Sequence, residues 1–325
     1  MRTLYVLLLT ALTLLAAPVA GAGTAYAAEN GEWAVQPAAS RLGGRPYFYL
    51  SADPGATLTD RVVITNKTSA PLTFRLYAAD AYNTARDGGF AVRTADEPQH
   101  GVGAWARPDR TRVTVPPHGR VTVPYTLTVP DDAEPGDHAG ALVALDERVA
   151  PAPGGGPVAM GVQRAVGARV HLRVTGPAAP ALAVDDLTLT HDRPLVPGTG
   201  ESTARVSYTL HNQGNVTLHP KVALRADGLF GRTLLARDLD HVPSVLLPRQ
   251  KIRLTETWTG APQLEWGDIT VTATAGAVEE TARAPFLALP WLPLAVLLAA
   301  CAAATARLRY VRRARIGENG PHERS

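Results

Sequence analysis

Val121-Thr122-Val123-Pro124-Tyr125-Thr126-Leu127-Thr128-Val129 places an apolar side chain at every odd position and a polar residue or proline at every even one. A period of two is that of a strand with one face in a core and the other in water, so this stretch predicts a half-buried β-strand. Pro124 has no N–H to give a ladder and predicts that the strand lies at an edge or carries a bulge. Arg61-Val62-Val63-Ile64-Thr65 is patterned nearly the same way.

Working outward, short β-rich runs separated by Pro, Gly, Asp and Asn continue over most of the chain, and no helix is predicted among them. In the first block the predicted strands are Tyr47–Ser51, Leu58–Thr65, Leu72–Ala81, Thr111–Val115, Arg120–Val129, Ala139–Arg148 and Val158–Val174. Asp53-Pro54-Gly55 and Glu134-Pro135-Gly136 offer proline's fixed φ followed by a glycine free to take positive φ, as a type II turn requires. Arg86-Asp87-Gly88-Gly89 reads as a hairpin tip. The chain changes character at Gly176-Pro177 and Pro180, which marks a domain boundary. Beyond it, strands are predicted near Leu182–Thr190, Ala204–His211, Val216–Arg225, Ile252–Trp258 and Ile269–Ala275. The expected fold class is all-β: two tandem Ig-like β-sandwich domains, residues 28–176 and 181–284, followed by one C-terminal transmembrane helix. Asn212 closes a strand in the second block as Asn66 does in the first, which suggests a weak internal repeat of one sandwich type. Asn66-Lys67-Thr68 and Asn215-Val216-Thr217 match the glycosylation pattern, yet a turn asparagine accounts for both.

The two ends predict export to a membrane. Phe286 to Ala306 is a run of 21 residues without a charge, about what a helix needs to cross a hydrocarbon layer of roughly 30 Å. Arg307, Arg309, Arg312, Arg313 and Arg315 follow it, so the positive-inside rule puts residues 307–325 in the cytoplasm as a basic tail and the body outside. At the other end, Arg2, an apolar run from Leu4 to Ala20 and the small-x-small site Ala25-Tyr26-Ala27 read as a signal peptide, residues 1–27. The expected localisation is a single-pass cell-membrane protein.

The formal net charge of +3 misleads until it is divided. The tail and the signal hold seven arginines, and Ala28–Pro285 carries 25 basic and 27 acidic residues. A near-neutral body argues against nucleic acid as a partner. Cys301 is the only cysteine and lies in the apolar run, so no disulfide within the chain can support the sandwiches.

No metal-ligand spacing, nucleophile elbow or phosphate loop occurs, so the chain reads as no enzyme and as needing no cofactor. The aromatic residues concentrate in the first block, where Phe48 and Phe74 read as core and Trp105 reads first as core. Asp80 is expected to hydrogen-bond turn backbone. Tyr82, Asn83, Asp87 and Phe90, at the predicted tip, are the residues expected to stay exposed. Together with Trp105 they are the candidate binding residues, because rings beside Asp or Asn suit the CH faces and hydroxyls of sugars.

The ordered set Pro46-Tyr47-Phe48-Tyr49-Leu50, Pro54-Gly55, Val63-Ile64-Thr65-Asn66, Tyr77-Ala78-Ala79-Asp80-Ala81 and Asp87-Gly88-Gly89-Phe90 continues through Gly103-Ala104-Trp105, Val113–Pro116, Val129–His138 and Gln163–Val174. Over about Glu32 to Gly176 it resembles the peptidoglycan-binding domain of WxL-interacting proteins. That resemblance implies a non-enzymatic surface protein binding cell-wall peptidoglycan and a secreted WxL-type or other surface protein. The second block resembles the family's partner-binding domain only loosely. The alternative is a structural or sensory subunit that binds only protein through its sandwiches. No Trp-x-Leu occurs, which would make this chain the anchor and not the anchored partner.

Overall fold

The computed structural model describes residues 28–41, 43–151, 161–192, 194, 200–289 and 291–317. The expected signal peptide, with Ala25 and Ala27, lies outside the described residues, as does the stretch 152–160. The described residues divide into two compact units, one covering the chain up to Ala81 and again Val92–Pro177, the other Tyr82–Ala91 and everything from Ala178 on.

In the first part of the chain the elements are β1 (Ala28–Glu29), β2 (Trp33–Pro37), β3 (Phe48–Ala52), β4 (Thr57–Asn66), β5 (Leu72–Asn83), β6 (Phe90–Val92), α1 (Val102–Trp105), β7 (Ala106–Pro108), β8 (Arg112–Val115), β9 (Arg120–Thr128), β10 (Gly136–Asp146), β11 (Ala150–Pro151), β12 (Gly161–Val162) and β13 (Ala165–Val174). One sheet runs β1-β2-β4-β9-β7 and the facing sheet β3-β13-β10-β5-β6, with β8 also on β5. Val123, Tyr125, Leu127 and Val129 are buried while Thr122, Pro124 and Thr128 are exposed, so β9 alternates as its sequence predicts. Between the sheets Trp33 packs 5.2 Å from Phe74, and Phe48 meets Tyr125 edge-on at 5.2 Å. Phe48 and Phe74 are thus core.

Pro124 requires a correction. β9 is neither an edge nor bulged, because β4 pairs along one side and β7 along part of the other. The Pro124 carbonyl accepts the Asp109 N–H at 3.0 Å just past the last β7 pair, so its missing N–H faces a place where the ladder has already ended. At Asp53-Pro54-Gly55 the Ala56 N–H donates to the Asp53 carbonyl at 3.1 Å and Gly55 has φ 78°, as a type II turn demands. The single helical turn α1 was not legible in the sequence.

The second unit holds β14 (Leu182–Asp192), β15 (Thr203–Asn212), β16 (Lys221–Asp227), β17 (Thr233–Asp238), β18 (Lys251–Thr259), β19 (Glu265–Ala275), β20 (Val278–Ala288) and α2 (Trp291–Gly317). A three-stranded sheet β14-β15-β18 faces a four-stranded sheet β17-β16-β19-β20 across Tyr208, Leu210, Trp258, Ile269 and Phe286.

The C-terminal boundary differs from expectation. Phe286–Ala288 are not helix but the end of β20, where Phe286 pairs with Gly267 in the ladder and Ala288 with Glu265. Phe286 is buried against Trp258, rings 6.2 Å apart, so it belongs to the sandwich core. The expected domain end at 284 and span of 286–306 both move accordingly. Helix α2 starts at Trp291 and runs through Gly317, and its stretch long and apolar enough to cross a membrane is Pro293–Tyr310, none of it buried. Arg307, Arg309, Arg312, Arg313 and Arg315 all lie within this helix and not in a separate tail. The rest of the expected tail, 318–325, lies outside the described residues.

Candidate functional site

The predicted tip is built differently from what exposure reasoning expects. Asn83 is buried, and the correction has a clear cause: its side chain closes a loop. The amide Nδ2 donates to the Gly88 carbonyl at 2.8 Å and to the Val245 carbonyl at 2.7 Å, while Oδ1 accepts the Leu247 N–H at 2.9 Å. Gly88, at φ 69°, fits only without a side chain, since a Cβ would lie 2.9 Å from Ile252 and Pro243. Tyr82 and Phe90 are half-buried. Asp87 is exposed, but its Oδ1 already accepts the Thr84 hydroxyl and, at 3.0 Å, the Gly89 N–H; these bonds hold its carboxyl below the usual range. Trp105 is half-buried on the first core and packs at a tilt against His138 with ring centres 4.7 Å apart. Of the five candidates, Asn83 and Asp87 therefore serve the turn, and Trp105 is largely spent on packing.

Asp80 is also structural. Its carboxylate accepts N–H groups from His100 at 2.5 Å, Gly101 at 3.0 Å and Gly103 at 2.7 Å, which lashes α1 and the residues leading into it to β5. This is the backbone-bonding role expected from its place beside a turn.

A set of aromatic residues does gather elsewhere on the first unit. Strand β3 lies parallel to β13, with Tyr49 opposite His171 and Phe48 opposite Val170. Phe48 and Val170 point inward, so Tyr49 and His171 point out. Their rings stack at 5.3 Å and 15°. Tyr47 sits edge-on to both, 6.1 Å from Tyr49 and 5.7 Å from His171, and the Arg169 guanidinium lies 5.4 Å over the Tyr47 ring. Tyr49 is 68% exposed, the most open aromatic side chain of this unit. Two residues farther along β13, Arg173 donates to Asp137 at 2.6 Å. The result is a compact aromatic platform, open at Tyr49 and with a cation on its flank, suited to the CH face of a ring bearing hydroxyls or carboxylates.

Part of this platform is written in the local sequence. In Tyr47-Phe48-Tyr49 a period of two with Phe48 in the core obliges both tyrosines to face away. The partner strand β13, more than a hundred residues on in the chain, could not be read from local pattern.

Among the described residues no cluster of His, Cys, Asp and Glu is arranged to hold a metal ion.

No family model and no curated protein matches the sequence. Among solved structures, the chain is similar to a chain of a chaperone–tip adhesin complex of CFA/I fimbriae biogenesis, at 8% identity and TM-score 0.36 over 78% of this chain and 97% of that one. It is similar to the Pseudomonas aeruginosa CupB2 chaperone at 10% identity and TM-score 0.29, over 75% and 97%. A Salmonella enterica SafA pilin–SafB chaperone complex gives 10% identity and TM-score 0.33, over 81% and 100%. Overlaps this loose carry no argument about function. The chain's own strands, sheets and cores define an all-β protein of two sandwich units with one C-terminal apolar helix.

Proposed function

We propose that this chain is an exported, membrane-anchored, non-enzymatic binding protein whose first unit holds cell-wall peptidoglycan on the Tyr47–Tyr49–His171 platform. The observation that carries the reading is the stacked, outward-facing Tyr49–His171 pair with Arg169 beside it: the exposed Tyr49 ring offers stacking surface to sugar, and the guanidinium matches the carboxylates of the wall's lactyl and peptide groups. The ordered resemblance over Glu32–Gly176 supports the same ligand. Helix α2 supplies the anchor, its length and apolar composition suiting a bilayer and its arginines facing the cytoplasm. A secreted WxL-type or other surface protein would be the second partner.

The test is sedimentation of the purified chain with insoluble peptidoglycan. Tyr47→Ala with Tyr49→Ala should weaken binding by about 1–3 kcal/mol, the cost of losing an aromatic stacking surface from a flat ligand. The melting temperature of Tyr49→Ala alone should stay close to that of the parent, since exposed substitutions rarely cost much stability. Unchanged sedimentation would remove wall binding from the platform. If the intact chain does not sediment yet captures a surface protein, the protein-only reading replaces this one.

A further inference from the structure

We propose that Phe230, Leu264, Trp266 and Leu287 form a lipid-docking patch that seats the second unit on the interface of the bilayer entered by α2. The proposal rests on the reading of α2 as a membrane span. These four side chains are 97%, 64%, 51% and 53% exposed, a concentration of open apolar surface at one end of the second unit.

The sequence builds the patch from three neighbouring segments. Trp266 on β19 stands directly opposite Leu287 on β20, and both face out because Glu265, Ile269, Phe286 and Ala288 face in. Leu264 immediately precedes β19. The short turn Leu229–Gly231, at the end of β16, lies against the same part of β19. A Cβ at Gly267 would fall 1.9 Å from the Asp227 carbonyl oxygen, so glycine is what lets the turn approach. Glu265 holds it there, accepting the Leu229 N–H at 3.1 Å and pairing with Arg232 at 2.7 Å. Phe230, in the middle of this turn, adopts φ 58°, a left-handed conformation that bulky residues rarely take. The turn thus carries an unfavourable backbone conformation and presents an aromatic ring to solvent, with no packing within the unit in return.

What covers the patch follows from the chain itself. Leu287 is four residues from Trp291, where α2 begins, at most about 14 Å of extended chain. The headgroup zone beyond the hydrocarbon core is roughly 5–8 Å deep on each side, so a tether of at most about 14 Å keeps the patch within reach of the interface. Tryptophan and phenylalanine suit that boundary, an apolar body on one side and water on the other.

The test uses the full chain carrying Cys301→Ala, with a single cysteine introduced as Phe230→Cys or Leu287→Cys. Glu279→Cys serves as the reference: it is exposed on the same face of β20, eight residues from Leu287, about 26 Å along the strand. Each variant is labelled with an environment-sensitive fluorophore and placed in phosphatidylcholine nanodiscs containing a headgroup-region nitroxide lipid. Labels at 230 and 287 should be quenched several-fold more strongly than the label at 279 and should emit at shorter wavelength. Equal quenching at all three positions, in chains that co-elute with nanodiscs, overturns the docking patch while leaving the anchor intact. Protection of 230 and 287 from both the nitroxide lipid and an aqueous quencher would assign the patch to a protein contact and likewise overturn it. Failure to co-elute with nanodiscs would overturn the reading of α2, and the docking patch with it.

Discussion

Asn66 and Asn212 hold the same post in the two units. Each ends a central strand, and each is buried. Asn66 donates to the Ala70 carbonyl at 2.7 Å and the Val115 carbonyl at 3.2 Å, and accepts the Thr68 N–H at 2.9 Å. Asn212 donates to Val216 at 2.8 Å and Leu246 at 3.0 Å, and accepts the Gly214 N–H at 3.0 Å. In both cases one side chain shapes its own turn and ties it to a segment some dozens of residues away. His118 and Arg249, at φ 50° and 61°, occupy matching left-handed places two residues before β9 and β18. The asparagine echo seen in the sequence is therefore a repeated structural device, and the burial of Asn66 explains why its glycosylation pattern reads better as a turn. Asn66→Ala or Asn212→Ala should each leave buried backbone groups without partners and lower the stability of its own unit by about 1–3 kcal/mol. Chemical denaturation of the two variants checks this; a change below half a kcal/mol in either would show that water replaces the side chain.

The least legible strand, β20, matters most to the second unit. Val278-Glu279-Glu280-Thr281-Ala282-Arg283-Ala284-Pro285-Phe286-Leu287-Ala288 mixes charges, alanines and a proline, and its inward positions 282, 284 and 288 hold only alanine, a weak mark of a buried face. It forms because β19 offers a free ladder: eleven residue pairs join the two strands, from Ala275–Val278 to Glu265–Ala288. Pro285 is tolerated on a strand at the sheet's edge. Its last residues bring Phe286 against Trp258 in the core. A fragment of residues 28–289 should therefore be more stable than one of 28–284, by roughly 3–5 kcal/mol if losing Phe286 costs what large-to-small core changes do. Equal melting temperatures for the two fragments would mean that Phe286 contributes no more than a surface residue.

Across the molecule as a whole, charge is partitioned along the chain more than over a surface. Residues 28–285 are close to neutral, whereas the arginines beyond Ala306 stack up within and after the apolar stretch of α2. Such an asymmetry sets the direction of a span, because lysine and arginine resist translocation. Arg312→Glu combined with Arg313→Glu and Arg315→Glu should impair insertion with the C-terminus inside, while the sandwiches fold as before. Protease protection in membrane vesicles reads the outcome, and an unchanged pattern would show that the apolar helix alone sets orientation.

Local periodicity was enough to indicate an all-β chain, a break after Gly176, and an apolar C-terminal helix, because half-burial and a long charge-free run leave direct marks on residue order. Val121–Val129 and the Pro-Gly turn at Asp53 carry that information without help from the rest of the chain. The fate of individual polar and aromatic side chains was a different matter. Asn83 sits in a turn-forming sequence and still ends up buried, since its partners Val245 and Leu247 lie far along the chain. Tyr49 gains its stacking partner only because β3 docks parallel to β13, a pairing that no local pattern encodes. Phe286 joined an apolar run when read in sequence and a sandwich core when folded, because burial against Trp258 and bilayer insertion select the same kind of residue, and the choice between them is made by the β19–β20 hairpin and the packing of its last residues on β18.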